Sequence, residues 1–143
     1  MFQVKTFIME AKKVLISGIV AGFVLLMISL LIESIFAVNY SAIPQIWKPM
    51  TGNWIYQLLI LEIIKGIIYA AVFGVIYKVL PGKGWKKGLN YGFILWLVAT
   101  IPGMGIIYIS MAIPNNIIAL WIIEGLVGLL AAGSLISILY NRI

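Results

Sequence analysis

Apolar residues fill this chain in four long runs, separated by short polar intervals. The runs cover residues 14–38, 54–80, 89–111 and 116–140. Each reaches the roughly 20 residues that an α-helix needs to cross about 30 Å of hydrocarbon. None alternates apolar and polar positions as a half-buried strand does, and an open sheet edge would find no hydrogen-bond partners in lipid. The pattern predicts an all-α membrane protein, a four-transmembrane-helix bundle forming one domain over residues 1–143. The head of the chain, MFQVKTFIMEAKK, reads as a short amphipathic turn at the interface. The first run then reaches full spanning length without a small-residue cleavage site, so it reads as a retained anchor.

The breaks between runs carry turn signals. Pro81-Gly82 closes the second run within VLPGKGWKK. Pro114 ends the third, and Asn115 or Asn116 is placed to cap the fourth. The first connection, NYSAIPQIWKPMTGN, predicts an interfacial helix or partial lid anchored by Tyr40, Trp47 and Trp54. Pro44 and Pro49 keep any such helix short. Tyr77, Trp85, Tyr91 and Tyr140 fall where an inner aromatic belt belongs, and Tyr108 near the outer one.

Composition agrees with this picture. Of 143 residues, 64% are hydrophobic and only 10% charged, far below the roughly 25% charged residues of a soluble domain. The net charge of +6 points to the membrane surface rather than to nucleic acid, because no basic stripe with interleaved aromatics is present. Lys5, Lys12, Lys13, Lys78, Lys83, Lys86, Lys87 and Arg142 fall on one side of the four spans, and Lys48 alone falls on the other. That asymmetry puts both termini on the cytoplasmic side, in the inner (cytoplasmic) membrane of a prokaryote.

The missing residue types restrict the chemistry. The chain has no Cys, no His and no Asp. Disulfides, thiolate catalysis, aspartyl intramembrane proteolysis and a Ser-His protease are excluded, as are a sulfur-ligated metal, a bis-histidine haem and a conventional zinc site. Gly82-Lys83-Gly84 is too short for a phosphate loop. The expectation is of no cofactor, no metal and no catalytic residue; an enzyme would have only Glu, Lys, Tyr and Ser to use.

Candidate function lies in the charges left inside the spans. Glu33, Glu62 and Glu124 interrupt apolar runs, and Lys65 follows Glu62 by three residues. Each costs roughly 2.5–3.5 kcal/mol or more near a helix centre. All three carboxylates fall in the outer half of the bilayer, with Glu62 and Glu124 about 6 Å from the midplane by helical rise. Small residues at helical spacing lie on the same helices: Gly18 and Gly22 on the first, and Gly66, Ala70 and Gly74 on the second. Gly88, Gly92, Ala99 and Gly103 line the third, and Gly125 and Gly128 adjoin Glu124 on the fourth. Such faces let helices approach closely. Pro102 and Gly103 predict a kink in the third helix. A parallel repeat of two hairpins is also suggested, setting Gly18 against Gly92 and Glu62 against Glu124.

The pattern Gly88-x-x-Tyr91-Gly92-x-x-x-Trp96 after a Pro-Gly turn, with Gly-Ile-Val-Ala-Gly opening the first helix, resembles a loose group of small four-helix prokaryotic membrane proteins with no assigned function. The resemblance implies a fold and says nothing of activity. Two functional readings arise from the residues, with an intramembrane enzyme as a third behind them. The first is a non-enzymatic membrane subunit or scaffold, packing with copies of itself or a larger membrane complex through glycine faces and a Glu/Lys network. The second is a small proton- or cation-coupled transporter or channel using Glu62, Lys65 and Glu124.

Overall fold

A computed structural model describes residues 2–37 and 52–143, with side chains from Glu10 onward. Every regular element among them is helical: α1 (Phe2–Ile35), α2 (Trp54–Ile76), α3 (Trp85–Leu95), a π-helical turn (Trp96–Thr100), α4 (Ile101–Ser110) and α5 (Asn115–Arg142). Among the described residues, four stretches are long and apolar enough to cross a membrane: Glu10–Ile35, Trp54–Ile76, Trp85–Ser110 and Asn115–Arg142. The chain is therefore a helical membrane protein by length and composition. Its outward face agrees: Leu15, Ile19, Phe23, Met27, Leu31 and Ile35 form an exposed stripe at four-residue spacing along α1. Water would make that stripe costly, whereas lipid solvates it.

Several boundaries differ from the sequence expectation. The head is no separate amphipathic turn, because α1 continues unbroken back to Phe2. The second helix stops at Ile76, and residues 77–79 form a turn in which Val79 and Leu80 N–H donate to the Ile76 carbonyl. The third helix starts four residues early, at Trp85, which draws Lys86, Lys87 and Gly88 into it. Neither Asn115 nor Asn116 caps the fourth. Pro114 stands at the cap and its carbonyl accepts from the N–H groups of Ile117 and Ile118. The expected lid and its anchors Tyr40 and Trp47 lie outside the described residues.

Glycine decides the packing. On α1 and α2, a Cβ at Gly18 would fall 2.5 Å from Ile67 Cα, one at Gly22 2.6 Å from Ile63 Cα, and one at Gly66 2.5 Å from Gly22 N. On α3 and α5, Gly88 abuts Gly133 and Gly92 abuts Leu129 with the same lack of room. Without side chains in the way, each pair gains dispersion contact over long backbone stretches. The two hairpins, α1–α2 and α3–α5, then join mainly through α1 and α5, where Leu25 fits over Gly128.

These approaches also correct the repeat. Gly22 meets the Glu62 carbonyl as Gly92 meets that of Leu129, and Gly66 plays the part of Gly133. Gly18 therefore matches Gly88, not Gly92, and Glu62 matches Leu129, not Glu124. The adjacent alanine pairs that suggested the other register are not what the backbones touch.

The core gathers toward the end of the bundle that holds the 77–84 connection. Ala21, Ala70, Phe73, Tyr91 and Ile136 have no exposed surface. Phe73 meets Tyr91 and Tyr140 edge-on, at centroid separations of 5.2 and 5.6 Å, a favourable ring geometry. Tyr91 and Tyr140 are thus core residues, not members of an interfacial belt. The third helix is different: from Trp96 to Ser110 it buries no residue.

Candidate functional site: the carboxylates and lysine within the spans

Glu62 and Lys65 are brought together by helical spacing alone, since residues three apart on α2 share a face. The Lys65 ammonium donates to Glu62 Oε1 at 2.8 Å. Glu62 itself is 8% exposed, because its backbone lies against Gly22 and its side chain turns inward between helices. Its second oxygen, Oε2, is buried without a hydrogen-bond partner. The Lys65 side chain, at the midpoint of α2, keeps 41% of its surface accessible.

Glu124 reaches the same region from α5. Ser29 of α1 hydrogen-bonds its carboxyl, and it lies within the electrostatic reach of Glu33, Glu62 and Lys65. Like Glu62, it has a buried Oε2 with no partner. Tertiary structure therefore brings Glu33 and Ser29 from α1, Glu62 and Lys65 from α2, and Glu124 from α5 into one polar region. Among the described residues, Glu62 and Glu124 lie near one ammonium there, that of Lys65. Among the described residues no three acidic side chains are grouped to hold a metal ion.

The segment carrying Glu124 is clamped from two sides. The Trp96 indole donates to the Ile122 carbonyl at 2.9 Å, and Thr100 sits on Gly125, where a Cβ would fall 2.9 Å from its methyl carbon. From α1, Leu25 covers Gly128. The third helix achieves this through its π turn. Pro102 has no N–H to offer the Val98 carbonyl, and the chain responds with a widened turn in which Ile101 N–H donates to Trp96 O. One extra residue in the turn rotates the downstream helix by about 100°. Thr100 accordingly takes the packing position expected for Ala99, and Gly103 falls off the face, with open space around it. The break expected at Pro102 takes the form of this π turn.

The remaining expected packing residues divide by partner. Gly18, Gly22, Gly66, Gly88 and Gly92 meet backbone, Gly74 meets the Tyr140 hydroxyl, Gly125 and Gly128 meet side chains, and Ala70 is fully buried. Gly133 belongs with the first group and was not singled out by the sequence.

A second cluster, also not foreseen, ties all four spans together at the opposite end. Tyr77 stacks on Tyr140 at 5.7 Å. Lys87 lies 4.0 Å over the Tyr77 ring and donates to the Tyr77 carbonyl at 2.7 Å. Lys13 lies 5.4 Å over the Tyr140 ring. The Tyr140 hydroxyl donates to Glu10, which also pairs with Lys13 at 3.8 Å. Tyr91 donates to the Tyr69 carbonyl at 2.6 Å. Ser137 donates to the Gly84 carbonyl at 2.7 Å and Asn90 to the Pro81 carbonyl at 3.1 Å, fastening the 77–84 connection. Spacing could not have paired Glu10 with a tyrosine 130 residues away; only the inward lean of polar groups at a helix end hints at it.

Compared with protein families, with curated proteins and with solved structures, the chain matches none.

Proposed function

We propose that this chain is a non-enzymatic integral subunit or scaffold of a prokaryotic cytoplasmic membrane, with both termini on the cytoplasmic side. It packs with copies of itself or with a larger membrane complex. The observation that carries this reading is Lys65, a cation at the middle of a span with 41% of its side chain accessible. An ammonium there is poorly served by lipid tails and well served by a polar or anionic protein surface. The glycine faces first expected to meet a partner are occupied within the bundle, so the contact surface falls to α2 around Lys65 and to the unburied outer half of the third helix. The orientation is supported by Lys13, Lys87, Asn141 and the 77–84 connection lying at one end, where they meet around Tyr77 and Tyr140.

Mass measurement in mild detergent tests the reading. An oligomer or complex is expected, and Lys65→Met should dissociate it while leaving helix content unchanged. A chain that stays monomeric in mild detergent and fails to cross-link in membranes through Gly103→Cys overturns it.

A small proton- or cation-coupled transporter is the second reading, favoured by one observation: the unpartnered Oε2 atoms of Glu62 and Glu124. A buried carboxylate oxygen without a donor is costly, and a site that binds and releases a cation keeps such oxygens available. Under this reading Glu62→Gln abolishes pH-dependent flux in liposomes and leaves assembly intact.

A further inference from the structure

We propose that two copies of this chain pair about a two-fold axis along the membrane normal. In that pair the Lys65 ammonium of each copy donates to the backbone carbonyls of Leu97 and Val98 in the other. This deepens the subunit reading by naming a second copy as the partner, and it rests on that reading for the existence of an assembly.

Donor and acceptors are both left over within one copy. Among the described residues the Lys65 ammonium makes one hydrogen bond, to Glu62 Oε1, although an ammonium has three N–H groups to give. Lys65 is the central residue of α2 (Trp54–Ile76). It lies about 16 Å from either end by helical rise, too far for its stem to carry the charge to water. The acceptors come from the π turn. Ile101 N–H, which an α-helix would give to the Leu97 carbonyl, goes to Trp96 instead. Pro102, next in line for Leu97 and the α-helical donor for Val98, has no N–H. Leu97 and Val98 are 46% and 70% exposed, and lipid tails supply no donor to replace the lost ones. A positive ammonium and the negative ends of two carbonyl dipoles are complementary, and their hydrogen bond is charge-assisted.

The two sets lie at matching depth. Tyr91 of α3 donates to the Tyr69 carbonyl of α2, which registers the helices against each other. Outward from that bond, Lys65 is four residues along α2 and Leu97 six along the third helix, about 6 and 9 Å by helical rise. Copies inserted in one orientation keep these depths, and the lysine stem spans the difference of about 3 Å.

Both sets also lie on one side of the bundle. Helix α2 packs on α1, α1 on α5 and α5 on α3, while Tyr91 closes the ring by meeting Phe73 of α2 edge-on. The surfaces of α2 and the third helix are therefore neighbours, and one two-fold axis between them sets each lysine against the other copy's turn. A face that carries donor and acceptor together is self-complementary, as a two-fold contact requires. A different membrane protein would have to supply an acceptor for Lys65 and a donor for the turn, whereas a second copy already has both. Beyond the turn, Gly103 and Gly105 stand in open space, which leaves room for a neighbouring helix to come close.

Cross-linking between differently substituted copies tests the pairing, in a chain with no native cysteine. One copy carries Leu61→Cys on α2 and the other Val98→Cys, both at exposed positions, and a short bifunctional thiol reagent is applied to membranes holding both. The mixed pair should cross-link more strongly than either position with itself. Adding Lys65→Met to both copies should remove that product, and Lys65→Arg should keep it. By mass measurement in mild detergent, Lys65→Met should raise the dimer dissociation constant at least about tenfold, as loss of a charged hydrogen bond does. Pro102→Ala, which returns an N–H to the turn, should weaken the dimer as well. Circular dichroism confirms that each variant is folded; the cysteine copies retain Lys65 and Pro102, so their cross-links decide the case if either of those variants is not. Three results overturn this pairing and leave the subunit reading standing: cross-links only between like positions, a dimer unaffected in folded Lys65→Met, or an assembly with another protein and no second copy. A chain that is monomeric and cross-links nowhere overturns both.

Discussion

Gly88 and Gly133 face each other so closely that neither has room for a side chain; a Cβ on either would overlap the other's carbonyl oxygen. The contact fixes α3 against α5, and Gly92 extends it by one turn.

Gly133→Ala should therefore push these helices apart. A loss of about 1–3 kcal/mol is expected from overpacking alone. It should appear as a lower unfolding temperature in detergent, while Gly103→Ala, in open space, leaves that temperature unchanged or slightly raised. Equal effects at the two positions would refute the assignment of these faces.

The Glu62–Lys65 pair predicts a non-additive result. Glu62→Gln leaves a mid-span ammonium without its carboxylate and should cost about 1–3 kcal/mol, below the 3–5 kcal/mol of fully buried pairs because Lys65 is half-exposed. Adding Lys65→Met removes the stranded charge, so the double variant should be more stable than Glu62→Gln alone. A double variant less stable than the single one would show that the pair is not the governing interaction.

Trp96→Phe keeps an aromatic ring and deletes the indole donor to the Ile122 carbonyl. The expected loss is about 1 kcal/mol. Local loosening should result on α5 around Glu124, seen as faster amide exchange over residues 121–126. Exchange unchanged there would mean that Thr100 on Gly125 suffices to hold the segment.

Tyr140→Phe removes the hydroxyl that donates to Glu10 and preserves the ring contacts with Phe73 and Tyr77. Helix α1 should fray at its start, with amide protection falling before Lys13 and global stability changing by about 1 kcal/mol.

Orientation is tested through the natural absence of cysteine. Lys83→Cys should react with a membrane-impermeant thiol reagent only after the membrane is opened, and Gly52→Cys should react in intact cells. The reverse pattern would invert the topology.

Four apolar runs of spanning length were legible because hydrocarbon demands length and hydrophobicity from each helix separately, a local property of the chain. The Glu62–Lys65 spacing was legible for the same reason, being set by 3.6 residues per turn within one helix. The glycine faces were partly legible. Gly18, Gly22, Gly66, Gly88 and Gly92 stood out by their four-residue rhythm, but Gly133 lies among alanines and serines and has no rhythm to mark it.

Only tertiary structure decided the relations between helices. Pro102 announces a break, yet the π turn it takes depends on Trp96 and Thr100 finding seats on α5. That choice moved the face from Ala99 to Thr100 and left Gly103 open. Tyr91 and Tyr140 resemble interfacial aromatics in sequence, and became core because the two hairpins close around them. The gathering of Glu124 with Ser29, Glu33, Glu62 and Lys65 depends on how α1 meets α5, which is set by Leu25 over Gly128. Composition and period state what each helix buries in lipid. Which side chains meet across the bundle depends on where backbones can touch, and that is a property of pairs of helices that no single stretch of sequence contains.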